Sequence, residues 1–300
     1  MSFCYDVKTE LAKIEIESPC CELAFDYGLL LFGRAFSKSS ISLQTEHETV
    51  AELYCRAIKK IGGFEVEKKC SKAGKYNISV EKAEQRLKIL DALGYTGKEI
   101  SVDINLANVE NECCASAFLR GAFLSCGNIT NPEKDYHFEF AVTYHKVSDE
   151  LANFISDFDI SPKQVLRKGN NIVYLKDSSN IEDMLTLMGA VNSSLEFMGV
   201  KMYKDVRNNI NRKANFEIAN ITRTVAASSP QVEAIEFIKK EKGLDSLTDE
   251  LKELAVLRLE NPEMSLRELG ENLSKPISRS GVNHRLNRII AIADDLKLHS

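Results

Sequence analysis

The chain has 300 residues, of which 44% are hydrophobic and 28% are charged, and its net charge is −5. This composition predicts a folded protein of about two domains with a hydrophobic core, and it excludes a disordered chain. The N-terminal residues lack the apolar stretch of a secretory signal, and the densest apolar run, 27–33, is too short to span a bilayer. We therefore expect a cytoplasmic protein with no membrane association.

The charge is distributed unevenly along the chain. Residues 207–300 contain 15 basic and 14 acidic side chains, whereas residues 1–206 contain 24 and 30. Within the C-terminal part, the stretch 275–293 contains four basic residues and no acidic one. Local patches, rather than total charge, govern phosphate binding, so the net negative charge does not exclude a nucleic-acid partner.

One sequence pattern occurs twice, as CCELAFDYGLLLFGR in 20–34 and as CCASAFLRGAFLSCG in 113–127. At a constant offset, six positions are identical: Cys20/Cys113, Cys21/Cys114, Ala24/Ala117, Phe25/Phe118, Gly28/Gly121 and Leu31/Leu124. These positions have helical spacing, and small residues four apart allow two helix backbones to approach closely. The repeat therefore predicts two helices that pack against each other.

Each copy of this helix is followed by the same order of predicted elements. Strand-like segments come first, then an amphipathic helix, a further strand at 74–80 or 169–175, and a last helix that ends at Gly94 or Gly189. The predicted fold class for this part is α+β, with one half in residues 1–100 and the second in residues 101–205. The two halves would form a pseudo-dimer within one chain.

Residues 206–230 are polar and rich in asparagine, and they predict a helical linker between two domains. We expect Pro230 to open the next helix, because proline is tolerated in a first helical turn. The linker has two interpretations, a second nucleic-acid surface or a hydrogen-bonding interdomain helix. The residues of the first interpretation are Arg207, Asn208, Asn211, Arg212, Lys213 and Asn215.

The C-terminal part, 231–300, predicts an all-α domain. Leu251, Leu254, Ala255 and Leu259 form one apolar stripe of a first helix, and Pro262 ends that helix. Ser265 and Glu268 fit a capping box at the start of a second, short helix. A third helix would direct Val282, Leu286, Ile289 and either Ile292 or Ala293 inward. A helix, a short helix with a glycine near its end, a turn and a third helix predict a helix-turn-helix domain.

The third helix of such a domain enters the DNA major groove, and its exposed residues have suitable chemistry. Arginine can bind guanine, asparagine can bind adenine, and serine or lysine can bind phosphate. The alternative is the solvated face of an ordinary helical bundle; the absence of acids favours DNA. The predicted DNA-binding residues are Ser265, Arg267, Lys275, Ser278, Arg279, Ser280, Asn283, His284, Arg285, Asn287 and Arg288.

Eight cysteines lie between residues 4 and 126. We expect reduced thiols, because no secretory signal is present. A structural zinc site is the less favoured interpretation, because adjacent cysteines are a poor chelating pair and the histidines complete no ligand pattern. The favoured interpretation is small buried apolar residues, with no metal and no cofactor.

The paired helices, each followed by strands, resemble the LAGLIDADG homing endonucleases. In that fold the two helices pack at a pseudo-twofold axis, and an acidic residue near the end of each helix holds the catalytic metal. Matching the motif glycine to Gly28 and Gly121 places the catalytic acid on Gly33 and Cys126. The other motif aspartate falls on the leucines of the repeat, Leu31 and Leu124. The resemblance implies a scaffold with no catalytic residues.

The chain as a whole resembles the WhiA family, in a match carried by 118–124, 207–228, 251–273 and 276–289. This resemblance implies a LAGLIDADG-homing-endonuclease-like pseudo-dimer followed by an all-α helix-turn-helix domain. It also implies a non-catalytic, nucleoid-associated transcriptional regulator that binds double-stranded promoter DNA. The implied processes are cell division, chromosome segregation and, in spore formers, sporulation.

Two other functions remain open at this point. The first is an adaptor whose N-terminal domain binds a protein of transcription or division. The second is a residual site-specific endonuclease, against which the absent acids argue. No feature of the sequence indicates a small-molecule substrate.

Overall fold

The computed structural model describes residues 2–97 and 101–299. The chain forms two compact units, Met1–Lys204 and Asp205–Ser300. The helices of the first unit are α1 (Phe3–Ala12), α2 (Pro19–Leu31), α3 (Glu48–Gly62), α4 (Ala83–Ala92), α5 (Glu112–Cys126), α6 (His145–Ser156) and α7 (Ser178–Met188). Its strands are β1 (Ala35–Phe36), β2 (Ile41–Thr45), β3 (Lys69–Cys70), β4 (Tyr76–Ser79), β5 (Gly127–Ile129), β6 (Phe138–Val142), β7 (Lys163–Arg167) and β8 (Asn170–Leu175).

The predicted duplication is confirmed by the order of these elements. In each half a central helix, α2 or α5, is followed by two strands, a helix, two strands and a last helix. The four strands of each half pair in one antiparallel sheet, in the order β1-β2-β4-β3 and β5-β6-β8-β7. The fold is therefore α+β with two equivalent halves, as predicted.

The central helices α2 and α5 pack with their backbones in contact. A Cβ atom added to Gly28 would lie 2.3 Å from the carbonyl oxygen of Phe118, and one added to Gly121 would lie 2.3 Å from that of Phe25. These two contacts are reciprocal, as expected about a pseudo-twofold axis. The hydroxyl of Ser125 also donates to the carbonyl of Leu29 at 2.7 Å. Glycine is therefore required at both positions, which is why the repeat contains it.

A single long helix, α8 (Val191–Glu241), begins in the first unit and ends in the second. The expectation that Pro230 opens a new helix is wrong, because Pro230 lies inside α8. Proline lacks a backbone N–H, so that it cannot donate to the carbonyl four residues earlier. The other hydrogen bonds on both sides of Pro230 keep the helix continuous.

The second unit contains the end of α8 together with α9 (Asp249–Glu260), α10 (Leu266–Glu271) and α11 (Arg279–His299). Its core confirms most of the predicted stripes. Leu259 and Ile292 are only half-buried, whereas Arg258 is 1% exposed and its Nη1 donates to the carbonyl of Met264 at 2.7 Å. The buried residues of this core that the sequence predicted are Leu251, Leu254, Ala255, Val282, Leu286, Ile289 and Ala293.

Among the described residues, no helix has both the length and the apolar character needed to cross a bilayer.

An unpaired carboxyl group lies within the core of the first unit. Asp26 of α2 is 2% exposed, and its Oδ1 has no hydrogen-bond partner in the described part of the chain. Burial raises the pKa of this carboxyl from 3.8 to about 6; Lys60 and Arg56 partly oppose this change, whereas Glu22 adds to it. The folded state therefore holds the Asp26 proton at a pH where the unfolded chain releases it.

The glycine contacts predict a severe effect of one added methyl group. We expect Gly121→Ala to lower the free energy of unfolding by about 3 kcal/mol or more, because the backbone of α2 cannot move aside easily. Gly199→Ala is the matched control, because a Cβ there meets nothing within 4 Å and alanine favours the helix by about 1 kcal/mol. Urea unfolding of both variants measures the difference. Equal stability of the two variants would contradict the close contact.

The buried carboxyl predicts a pH-dependent gain in the Asp26→Asn variant. Because the folded pKa is raised, native Asp26 destabilises the fold increasingly as the pH rises from about 4 through 6. The full change corresponds to about 3 kcal/mol. Relative to the native chain, the variant should therefore gain this free energy of unfolding between pH 4 and pH 7.5. Urea unfolding across this range tests it, and parallel stability curves for the two proteins would refute it.

Candidate nucleic-acid interface

A capping box fixes the start of α10, and a glycine allows the turn between α10 and α11. Glu268 donates its backbone N–H to the hydroxyl of Ser265 at 3.3 Å, and the Ser265 N–H donates to the Glu268 carboxylate at 2.8 Å. This is the predicted capping box. Ile277 N–H donates to the carbonyl of Gly270 at 3.1 Å, and a Cβ at Gly270 would lie 2.4 Å from the Ile277 oxygen. The glycine thus allows the chain to turn closely back into α11.

The outer face of α11 is polar and has no acidic residue over its first three turns. Val282, Leu286 and Ile289 are buried on the opposite face. Ser278 precedes the helix, and its hydroxyl accepts from Gly281 N–H at 3.3 Å. The exposed predicted residues of this region are Lys275, Ser278, Arg279, Ser280, Asn283, His284, Asn287 and Arg288. The structure therefore brings most of the predicted set to one accessible region.

Several residues of the predicted set have partners inside the domain, and two of these, Arg285 and Ser265, are also at least partly buried. Arg285 is 22% exposed, and its Nη2 lies 2.8 Å from the Glu250 carboxylate of α9. Ser265 is half-buried and acts as the cap of α10. Arg285 thus connects α11 to α9, whereas Ser265 stabilises the start of α10.

A groove lined by four arginines lies beside the start of α11. Its volume is about 490 Å³, and its lining includes Arg223 of α8, the buried Arg258, Arg267 of α10 and Arg279 of α11, with no acidic residue. We call this surface the arginine groove. Arg267 also pairs with Glu271 at 2.8 Å on the surface. Sequence analysis missed Arg223, because only the folded chain brings it beside residues so distant in sequence.

The predicted second surface on α8 is accessible over its whole length. Arg207, Asn208, Asn211, Arg212 and Lys213 are all exposed. Four of them form two adjacent rows at helical spacing, Arg207 with Asn211 and Asn208 with Arg212, whereas Lys213 projects elsewhere.

The two positions that the LAGLIDADG resemblance assigns to catalytic acids are occupied by Gly33 and Cys126. A Cβ at Gly33 would lie 2.7 Å from the carbonyl of Ser42, so that no longer side chain fits there without movement. Burial raises the pKa of the Cys126 thiol to about 12. Lys8 of α1 interacts with Cys126, and its Nζ donates to the carbonyl of Leu124 at the end of α5 at 3.0 Å. This end of the helix pair thus contains a thiol and an ammonium group.

The opposite end of the helix pair contains a cluster of four thiols. Cys20 and Cys21 of α2 meet Cys113 and Cys114 of α5, and their four Sγ atoms all lie within 4.8 Å of one another. All eight cysteines are free thiols, but only Cys114 is buried. Cys4, Cys20, Cys21, Cys55 and Cys126 are half-buried against the hydrophobic core. The prediction that the cysteines act as small buried apolar residues is therefore wrong only for the exposed Cys70 and Cys113.

Comparison with known proteins identifies both units. A family model described as the WhiA LAGLIDADG-like domain matches residues 115–207, and one described as the WhiA C-terminal HTH domain matches residues 210–293. A relative from Alkaliphilus oremlandii is 39% identical over 99% of this chain and 98% of its own. One from Staphylococcus haemolyticus is also 39% identical, with the same coverage. Both are named "Probable cell division protein WhiA".

A solved structure, full-length DUF199/WhiA from Thermotoga maritima, is 26% identical with a TM-score of 0.61, covering 98% of this chain and 99% of that one. The fold and the candidate interface define a LAGLIDADG-type scaffold joined to a helix-turn-helix domain. The chain belongs to the WhiA family.

The ion pair between Arg285 and Glu250 predicts a role in stability. We expect Arg285→Ala to lower the free energy of unfolding by about 0.5–1 kcal/mol, the usual range for a partly exposed pair. A double-mutant cycle with Glu250→Ala isolates the coupling between the two side chains. Arg288→Ala is the control, because Arg288 is exposed on the same helix. Zero coupling energy would show that the pair contributes nothing to the fold.

Proposed function

We propose that this chain is a sequence-specific DNA-binding transcriptional regulator that acts at promoter regions. The observation that carries this proposal is the acid-free outer face of α11, which begins beside the arginine groove. An ordinary solvated helix mixes both signs of charge, whereas a helix that enters the major groove excludes acids facing the phosphates. The helix-turn-helix family match supports the same function.

The proposed binding mode assigns different roles to the exposed residues. Asn283, Asn287 and Arg288, one to three turns along α11, would contact base edges. Phosphate contacts would come from the groove arginines Arg223, Arg267 and Arg279, and from Lys275, Ser278 and Ser280 near the start of α11. His284, exposed between these sets, could contact either. Ser265 and Arg285 would act by holding the domain in shape, which changes their predicted role.

The proposed cellular role is in cell division, as the relatives' printed name suggests. Chromosome segregation, sporulation in spore formers and association with the nucleoid form part of the same proposal. We propose that the N-terminal scaffold is not catalytic, which the glycine, thiol and ammonium group near the former acid positions support. It would provide further phosphate contacts or bind a protein.

A second candidate function is an adaptor that binds a protein of transcription or division. The observation that favours it is a set of large apolar side chains left more than half exposed on α8. They include Ile210, Phe216, Ile218 and Ile221. Exposed apolar residues in such number on one helix are typical of an interaction surface.

Selection of bound fragments from genomic DNA, in the presence of Mg²⁺, tests the proposal. The full chain should enrich a common set of intact promoter fragments. Arg279→Ala and Arg288→Ala should each weaken binding by about tenfold or more, and Arg279→Ala should reduce the salt dependence by about one counterion. Lys297→Ala is the matched control, because Lys297 lies near the far end of α11 and pairs with Asp294. Its affinity should equal that of the native chain.

Other outcomes of this selection favour the rival functions. Equal enrichment by the native chain and the double variant Arg279→Ala/Arg288→Ala, or no enrichment at all, would move DNA contact away from α11 and support the adaptor. Strand breaks at a defined site in the enriched fragments would support a residual endonuclease instead.

A further inference from the structure

The four-thiol cluster is built by the duplication itself. Each half contributes two adjacent cysteines from the first turn of its central helix, Cys20 and Cys21 from α2, and Cys113 and Cys114 from α5. Considered singly, adjacent cysteines chelate poorly, which is why the sequence predicts no metal. The close contact of α2 and α5 removes this objection, because it brings two pairs together from opposite sides.

The separation of the sulfurs is close to that of a tetrahedral thiolate site. Zinc–sulfur bonds of about 2.3 Å place the four sulfurs of such a site about 3.8 Å apart. The four Sγ atoms here lie within 4.8 Å of one another without any ion. Small rotations of the side chains would therefore be enough to complete the site.

We propose that Cys20, Cys21, Cys113 and Cys114 bind one zinc ion between the two halves of the first unit. Thiolates are soft ligands that select zinc over magnesium and calcium, and four of them complete its preferred coordination number. The ion would connect α2 to α5 near their N-terminal ends, at a distance along the helices from the contact of Gly28 and Gly121. Each sulfur that binds the ion releases its proton to solvent.

Charged and polar groups around the cluster favour negative charge on the sulfurs, whereas burial raises the pKa of the Cys21 and Cys114 thiols and acts against it. The site lies at the N-terminal ends of two helices, whose dipoles stabilise negative charge. The hydroxyl of Ser18 lies 3.0 Å from Cys20 Sγ and can donate to a thiolate, and the Arg120 guanidinium interacts with Cys21. Glu15 and Glu17 line the same groove and oppose this effect in part. Four thiolates on zinc carry a net charge of −2, which the helix ends and Arg120 would offset.

The cluster is accessible to an ion from outside. A groove of about 280 Å³ is lined by Cys21, Cys113 and Arg120. Cys113 is exposed, whereas Cys114 is buried. An ion can therefore enter from the groove and be held against the buried sulfur.

Metal binding by the full reduced chain and by two complementary variants tests this proposal. In the first variant the other cysteines are replaced, Cys4, Cys55, Cys70 and Cys126→Ala, which leaves only the cluster. In the second, Cys20, Cys21, Cys113 and Cys114→Ser remove the cluster. We expect one zinc per chain for the native protein and the first variant, and none for the second. With Co²⁺ as the probe, only the first two should show thiolate-to-metal charge-transfer absorption.

A second measurement needs no variant, so that a folding defect cannot obscure the result. Zinc should slow alkylation of the four cluster thiols in the native chain by about tenfold or more, because bound thiolates are unavailable to the reagent. Alkylation of Cys70, which is exposed and outside the cluster, should be unaffected. The proposal is overturned if zinc protects no cluster thiol. It is also overturned if the reduced cluster takes up no metal and the same thiols form disulfides between α2 and α5 on oxidation.

Discussion

The backbone contact between α2 and α5 determines where everything else in the first unit lies. Gly28 and Gly121 each face a carbonyl oxygen of the other helix at a distance that excludes even a methyl group. Because the contact is reciprocal, it fixes both the separation of the helices and their pseudo-twofold relation. The two sheets, each of which continues from one of these helices, take equivalent places as a consequence. None of this depends on the acids of the homing-endonuclease motif, so the fold can persist without them.

Features of the fold that depend on neighbouring residues could be predicted from the sequence. The spacing of residues close in sequence predicts four such features: the repeat, the order of elements, the capping box of Ser265 and Glu268, and the buried stripe of α11. Features that depend on distant residues could not. The pairing of Arg285 with Glu250, the place of Arg223 in the arginine groove and the meeting of the four thiols arise only when separate segments pack. Pro230 shows a third case, in which the surrounding hydrogen bonds outweigh one residue's preference.

Two of the arginines of α11 illustrate why residue type alone does not assign a role. Arg285 and Arg288 are three residues apart and chemically identical. The turn of the helix directs Arg285 towards Glu250 of α9, whereas Arg288 stays in solvent. An ion-paired guanidinium must break its bond before it can bind DNA, so an exposed one binds at lower cost. The sequence predicts which helix would bind DNA, and packing decides which of its side chains are exposed.

The two ends of the central helix pair differ in the side chains that they contain and in the sign of the helix dipole. At the C-terminal end, where the catalytic acids of the fold would lie, Lys8 donates to a helix carbonyl beside a neutral thiol. Burial lowers the pKa of Lys8, whereas the negative end of the helix dipole favours its protonated form. At the N-terminal end, the positive helix ends face the four thiols of the cluster, and a helix end of this sign attracts negative charge. The zinc site that we propose would thus lie at the end of the helix pair opposite to the positions that the LAGLIDADG resemblance assigns to catalytic acids.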